Sequence, residues 1–215
     1  MYTPRHFKQE DRAAIHDMLA RIGFVSLVTS TASGLVATQA PVLLDPDEGE
    51  HGTLRGHIAR ANEQWKRALP EHEGLAIFAG PNGYVSPQWY AAKREHGRVV
   101  PTWNYVALHV YGRVRFSEDR DLLLNIVTRL TEKHEGKFEH PWKVSDAPAD
   151  YIEGMLRAII AFEMPISRIE GSWKLSQNRS EADRIGAMEG LKALGNEVSG
   201  EMAKTFPRRA ERTKR

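Results

Sequence analysis

The chain of 215 residues contains no cysteine. Disulfides, thiolate metal sites and cysteine nucleophiles are excluded together, and His, Asp and Glu remain as the strong metal ligands. Long apolar runs are missing as well: no segment approaches the roughly 20 apolar residues of a membrane helix. The opening MYTPRHFKQEDR is charged where an export signal would be apolar, so a cytoplasmic protein without membrane association is expected. There is no G-x-G-x-x-G fingerprint, no Walker lysine, no His-Glu-x-x-His and no G-x-S-x-G. Their absence removes the usual nucleotide-binding, zinc-protease and serine-hydrolase readings. The nine histidines are scattered, so no metal ligand and no catalytic residue is assigned.

What is present is ordinary for a globular protein, with 41% hydrophobic and 27% charged residues. This length suits one core with appendages. A formal net charge of +2 does not by itself imply a nucleic-acid surface. The basic residues Arg208, Arg209, Arg212, Lys214 and Arg215 nevertheless cluster at the end. They read either as a solvated tail or as an arm attracted to phosphate, and like-charge runs are usually disordered.

Apolar spacing at Ile15, Met18, Leu19 and Ile22 predicts a helix over 10–22, with Glu10 and Asp11 favourably placed at the positive end of its dipole. Strands at 24–31 and 35–44 form a hairpin turning through Ala32-Ser33-Gly34. Further strands follow at 53–59 and 75–81, with a short helix from its candidate cap Asn62 between them. From Pro101 to Phe116 the period is two: Asn104, Val106, Leu108, Val110, Gly112, Val114 and Phe116 on one face, Trp103, Tyr105, Ala107, His109, Tyr111, Arg113 and Arg115 on the other. A helix after Glu118 and Asp119 carries the stripe Leu122, Leu123, Ile126, Val127 and Leu130, and another short one starts at Pro148. A last strand leaves Ile159, and Ser180 to Asp183 resembles a capping box. The helix it opens should turn Ile185, Met188, Leu191 and Leu194 inward and stop at Gly195. Irregular alternation without a βαβ rhythm predicts a mainly β, α+β fold: an antiparallel barrel with flanking helices. The barrel and its helices should occupy 1–195, and a C-terminal helix with the basic tail 196–215.

Three segments carry candidate chemistry. His57 to Asn62 ends a strand and begins a helix, so an imidazole, a guanidinium and free backbone N–H groups can converge on an anion. A surface arginine and an ordinary cap explain the same residues. Trp103, Asn104 and Tyr105, with His109 and Tyr111, offer aromatic surface with polar handles, suited to an isoalloxazine ring, a subunit interface or a core. In WKLSQNR, Lys174, Gln177, Asn178 and Arg179 can bond phosphate or ring carbonyls, or simply form a polar loop.

Taken in order, MYTPRHF, GHIARANEQW, GYVSPQWY, VPTWNY with His109 following, and KLSQNR resemble the signature of the PaiB family, from Met1 to about Leu194. That family comprises FMN-binding negative regulators of transcription. The resemblance implies an antiparallel FMN-binding split β-barrel similar to that of pyridoxamine-phosphate oxidases. It further implies a homodimer with flavin at the subunit interface, and a repressor that meets DNA. Position by position, Thr38 and Gln39 would lie near the flavin ring and His57, Arg60 and Asn62 at its phosphate. Trp103 and Asn104, with Lys174 and Gln177, would close the site from the same or the second subunit. The alternatives are a flavin-dependent oxidoreductase of the pyridoxamine-phosphate-oxidase kind and, more distantly, a haem-binding split barrel with a histidine as axial ligand.

Overall fold

A computed structural model describes residues 1–206, so the basic cluster from Arg208 to Arg215 lies outside the described residues. In chain order the elements are β1 (Lys8–Gln9), α1 (Arg12–Ile22), β2 (Phe24–Thr31), β3 (Gly34–Asp45), β4 (Thr53–Ala59), α2 (Gln64–Arg67) and β5 (Gly74–Val85). There follow α3 (Ala91–Glu95), β6 (Thr102–Gly112), β7 (Arg115–Ser117), α4 (Arg120–Glu135), α5 (Ala149–Leu156), β8 (Ile159–Lys174), α6 (Glu181–Ala193) and α7 (Glu197–Lys204). The chain forms two compact units. The larger holds Asp11–Phe78 and His109–Ile169; the smaller holds Met1–Glu10, Ala79–Leu108 and the chain from Glu170 onward.

In the larger unit α1 starts at Asp11, whose carboxylate accepts the Ala14 N–H at 3.0 Å. It ends at Gly23, whose φ of 58° is left-handed. Asp11 is thus a direct cap as well as a charge near the dipole, which satisfies one of the helix's orphan donors. The β2–β3 hairpin pairs Thr31 with Gly34, leaving Ala32 and Ser33 as the whole turn. Gly34, expected in the turn, is already the first residue of β3, with a φ of 118° that favours glycine.

The sheet runs antiparallel in the order β8-β4-β3-β2-β5-β6, and β6 pairs back with β8. That closure is the barrel expected from the sequence. β6 shows the expected alternation, with Asn104, Val106, Leu108, Val110 and Gly112 buried. It stops at Gly112, however, and β7 resumes at Arg115. A side chain at Gly112 would lie 2.2 Å from the Pro165 carbonyl oxygen, so the strand passes β8 at a distance only glycine permits. Inside the unit, Val25, Leu27, Val42, Leu54, Ile58, Phe78, Ile160, Phe162 and Met164 are buried. Each contributes about 1.5–3 kcal/mol on burial.

Leu43 and Ala161 pack instead with Leu123, Ile126 and Leu130 of α4 and Leu156 of α5, in a second apolar layer. Ion pairs fasten its edge. Arg55 donates to Glu48 at 2.6 Å, to Glu163 at 2.8 Å and to Asp45, and Arg129 of α4 donates to Asp45 as well. Burial alone would raise the Asp45 carboxyl, but hydrogen bonds from Arg129 and Arg55 outweigh it and hold the group below its ordinary value.

In the smaller unit β1 pairs with the end of β8, Lys8 opposite Ser172 and Gln9 opposite Gly171. Ser180 caps α6 as expected, accepting the Asp183 N–H at 3.2 Å. Leu191 faces inward as expected and Met188 is half-buried, but the buried face is rotated away from Ile185 and Leu194. Asp183, Ala187 and Leu191 are buried, whereas Ile185 and Leu194 are 44% and 54% exposed. Two contacts fix this rotation. Buried Asp183 accepts the Ala92 N–H at 3.0 Å, and Gly186 and Gly190 lie against Trp89. A close backbone seat for an indole, plus one buried hydrogen-bonded carboxylate, outweighs the extra apolar area of Ile185 and Leu194. Asn196 then caps α7 through the Ser199 N–H at 2.9 Å, and Met202, Ala203 and Phe206 are buried.

Candidate functional site

Two of the expected site residues, Thr38 and Asn62, meet in the larger unit through a residue that the sequence did not single out. Gln64, at the first position of α2, is only 2% exposed. Its amide nitrogen donates to the Leu27 carbonyl at 3.1 Å and to the Thr29 hydroxyl at 3.0 Å, and its amide oxygen accepts from the Thr38 hydroxyl. Thr38 in turn accepts from the Asn62 amide at 2.7 Å, while the Asn62 side-chain oxygen accepts the Gln64 N–H at 3.0 Å. Thr38, Asn62 and Gln64 therefore close a ring that ties the strand-to-helix turn onto the β2–β3 hairpin. Asn62 is not the cap expected of it: the N-cap of α2 is Glu63, which makes no side-chain cap bond, and Asn62, one residue earlier, folds its side chain back onto the Gln64 N–H and so shapes the turn before the helix. Gln64 lies inside the motif GHIARANEQW but carried no periodic signal of its own, because one buried polar residue in a four-residue helix has no pattern to stand out from.

Gln39 is the next residue along β3 and is exposed; its amide donates to Ser26 at 2.8 Å across the strand pair. Arg60 donates through Nε to the Arg157 carbonyl at 2.5 Å and through Nη1 to Glu118. Two of its five N–H groups are thus engaged, and the side chain remains 36% exposed. The Trp65 indole donates to the Arg60 carbonyl at 3.0 Å, which holds the backbone of the turn. His57 sits in register with Ala161, a member of the apolar layer under α4. Burial keeps its imidazole below the ordinary histidine value, and its Nδ1 is buried without a partner. Burial thus works against a charged ring, one polar atom of which is unsatisfied, and Arg60 carries the positive charge of this segment.

The other four residues lie in the smaller unit. Trp103 is 52% exposed, donates to the Asn82 side-chain oxygen at 3.1 Å, and meets Tyr84 edge to face at 6.3 Å. Asn104 is fully buried, and its amide donates to the Ser176 hydroxyl at 3.0 Å. Ser176 has a φ of 62°, the one non-glycine residue in left-handed backbone among those described. Gln177 braces the same turn, donating to the Trp173 carbonyl at 2.5 Å and accepting the Leu175 N–H at 2.7 Å. Lys174 points its ammonium over the Tyr105 ring at 6.0 Å. Asn104 and Gln177 thus shape the turn, and Trp103 and Lys174 present surface. Ser176 went unnoticed in the sequence because strain at a serine leaves no compositional trace. Among the described residues no group of three or more His, Asp or Glu could hold a metal ion, and no helix is long and apolar enough to cross a membrane.

Comparison with known proteins places these features in a family. The family described as "Putative FMN-binding domain" matches residues 1–168. The Bacillus subtilis protein called protease synthase and sporulation protein PAI 2 is 32% identical over 203 residues, spanning 94% of this chain and 95% of its own length. Among solved structures, the flavocytochrome Anf3 of Azotobacter vinelandii superposes with a TM-score of 0.57 at 12% identity, over 86% of this chain and 78% of that one. An FAD and heme binding protein of Mycobacterium smegmatis gives 0.57 at 15% identity, over 84% and 79%. At such identities the two structures speak for the fold alone. With the family matched over most of its length and the Bacillus relative aligned almost end to end, the chain belongs to the PaiB-type family of FMN-binding split-barrel proteins.

Proposed function

We propose that this chain is a cytoplasmic, homodimeric negative regulator of transcription that binds FMN, with residues 1–195 as the flavin-binding domain and the segment 196–215 as its appendage. Arg60 is the observation that carries the flavin reading. Among the described residues its guanidinium keeps three N–H groups unused, on the turn braced by Asn62 and at the end of the strand that carries His57. A guanidinium with spare donors fits a phosphate, and Asn62 and His57 are the other polar side chains that this segment would offer. Thr38 and Gln39 would lie toward the flavin ring. Trp103 and Lys174 would add contacts, with Asn104 and Gln177 holding the turn that carries Lys174. FMN, when bound, supplies a reversible redox centre, and no residue of the chain is assigned a catalytic step.

Arg60→Ala should weaken FMN roughly ten- to hundredfold, the worth of one charge-assisted hydrogen bond of about 1.5–3 kcal/mol. Riboflavin, which lacks the phosphate, should be nearly unaffected. Titrations monitored by flavin fluorescence decide it, and equal weakening of the two ligands would remove Arg60 from the phosphate.

The partners rest on the family and on two features of the sequence, the aromatic face of β6 and the basic cluster from Arg208 to Arg215. The full-length protein should scatter light as a dimer, not at the 24.3 kDa of one chain. It should also shift upstream DNA in a gel, with affinity falling steeply as salt rises. Truncation after Phe206 should keep the flavin and flatten the salt dependence by roughly one unit of log-log slope for each phosphate no longer neutralised. The oxidoreductase reading expects no effect of the tail and faster reoxidation of reduced flavin with a particular small substrate. A monomer, or DNA binding indifferent to the tail, would refute the corresponding part of the proposal.

A further inference from the structure

Between α4, the connection over 136–148 and the first turns of α5 lies an open cavity of about 720 Å³. Its lining from α4 comprises Leu124, Thr128, Thr131, Glu132 and Glu135, positions that fall on one face of a helix. α5 adds Ile152 and Glu153, and the connection adds Pro141, Trp142 and Val144. The volume falls within the roughly 300–1,000 Å³ of small-molecule sites.

The connection is long for two neighbouring helices and contains only a short 3-10 turn, Val144–Asp146. Loops of that kind are uncommon without a function. It is held in place by its own chain: the Glu135 carboxylate accepts the Trp142 N–H at 3.0 Å, and Asp146 accepts the Lys143 N–H at 2.9 Å. Trp142, so anchored, still leaves its large side chain 45% exposed at the cavity. An indole fixed by its backbone but not covered offers apolar area and a cation-attracting face to a ligand.

Charge selects the ligand class. Arg120 is consumed by Glu153 at 2.5 Å and Asp121 at 2.8 Å. Glu132, Glu135 and Lys143 remain in the lining without an ion-pair partner among the described residues, a net charge of minus one. We propose that this cavity binds a small hydrophobic amine, its apolar body against Leu124, Ile152 and Trp142 and its ammonium toward Glu132 and Glu135. The site shares no residue with the proposed flavin contacts and stands whether or not flavin binds.

The test uses full-length protein labelled with 5-fluorotryptophan. The sequence has five tryptophans, and Trp142→Phe identifies the resonance of interest. The probes are 4-phenylbutylamine and 4-phenylbutyrate, which have similar apolar bodies and opposite charge. The amine should move the Trp142 resonance saturably and bind at least tenfold more tightly than the carboxylate. Glu132→Gln, a substitution at an exposed position, should cut amine affinity three- to tenfold and narrow the gap between the probes. No saturable shift, or equal affinity for the two probes, would overturn the proposal. A Trp142 resonance that followed protein concentration and ignored the amine would also overturn it, assigning the cavity to a second copy of the chain.

Discussion

Replacing Gln64 with leucine should cost about 2–4 kcal/mol of stability, one of the largest single-residue effects in the larger unit. The cost comes from the groups left behind. Leucine fills a similar volume but leaves the Leu27 carbonyl and the buried Thr29 hydroxyl without their amide donor, and the half-buried Thr38 hydroxyl, which keeps its bond from Asn62, without its acceptor. Each abandoned polar group costs about 1–3 kcal/mol, and the apolar gain of leucine offsets only part of that. Gln39→Leu, which removes one exposed hydrogen bond to Ser26, should change stability by less than about 0.5 kcal/mol. Urea unfolding of both variants makes the comparison. Similar midpoints would mean that the Thr38–Asn62–Gln64 ring is not holding the turn. The same ring positions Arg60, so Gln64→Leu should also weaken FMN in whatever fraction remains folded.

A comparable loss of stability is expected in the smaller unit from Gly186→Ala, where the added methyl would sit 2.0 Å from the Trp89 carbonyl oxygen. The obstacle is backbone, which cannot swing aside as a side chain tip would. Either α6 moves off its seat or the Trp89 turn shifts, and such overpacking costs about 1–3 kcal/mol or more. The melting temperature should fall by roughly 4–8 °C for a cost of about 2 kcal/mol, taking 2–4 °C per kcal/mol for a chain of this size. Gly200→Ala supplies the opposite sign. That glycine lies within α7 with nothing inside 4 Å, so alanine should gain up to about 1 kcal/mol from helix propensity alone. Parallel thermal melts test the pair, and a neutral Gly186→Ala would contradict the close approach.

Much of the fold was legible because it rests on periodicity and local chemistry. The alternation from Asn104 to Gly112 needs only a pleated strand with one face inward, and burial follows it residue by residue. The cap at Ser180 is likewise local, a short side chain accepting an N–H three residues on; Asp11 and Asp119 cap in the same way, where the sequence reads only as a charge near the dipole and as the start of a helix. The site was legible in part. Asn62 reads as a cap in the sequence, whereas it stands one residue before the N-cap Glu63, and its bond to Thr38 joins residues 24 positions apart and leaves no trace in local spacing. Arg60 was visible as a cation; its sharing with Glu118 was not, because that partner arrives from the start of α4.

The rotation of α6 marks the boundary most clearly. Composition and spacing were enough to place a helix there, to cap it at Ser180 and to stop it at Gly195, since those depend on neighbours in the chain. Which side it buries was not theirs to settle. Ile185 and Leu194 offered the larger apolar area, and a helix choosing its face by hydrophobicity alone would have turned them inward. The buried side is instead the one whose glycines admit the backbone and indole of Trp89, about 100 residues earlier in the chain, and whose Asp183 finds the Ala92 N–H. Element type follows from local preferences summed over a window, whereas facing follows from close contact with a specific distant partner. Only the folded chain brings that partner into reach.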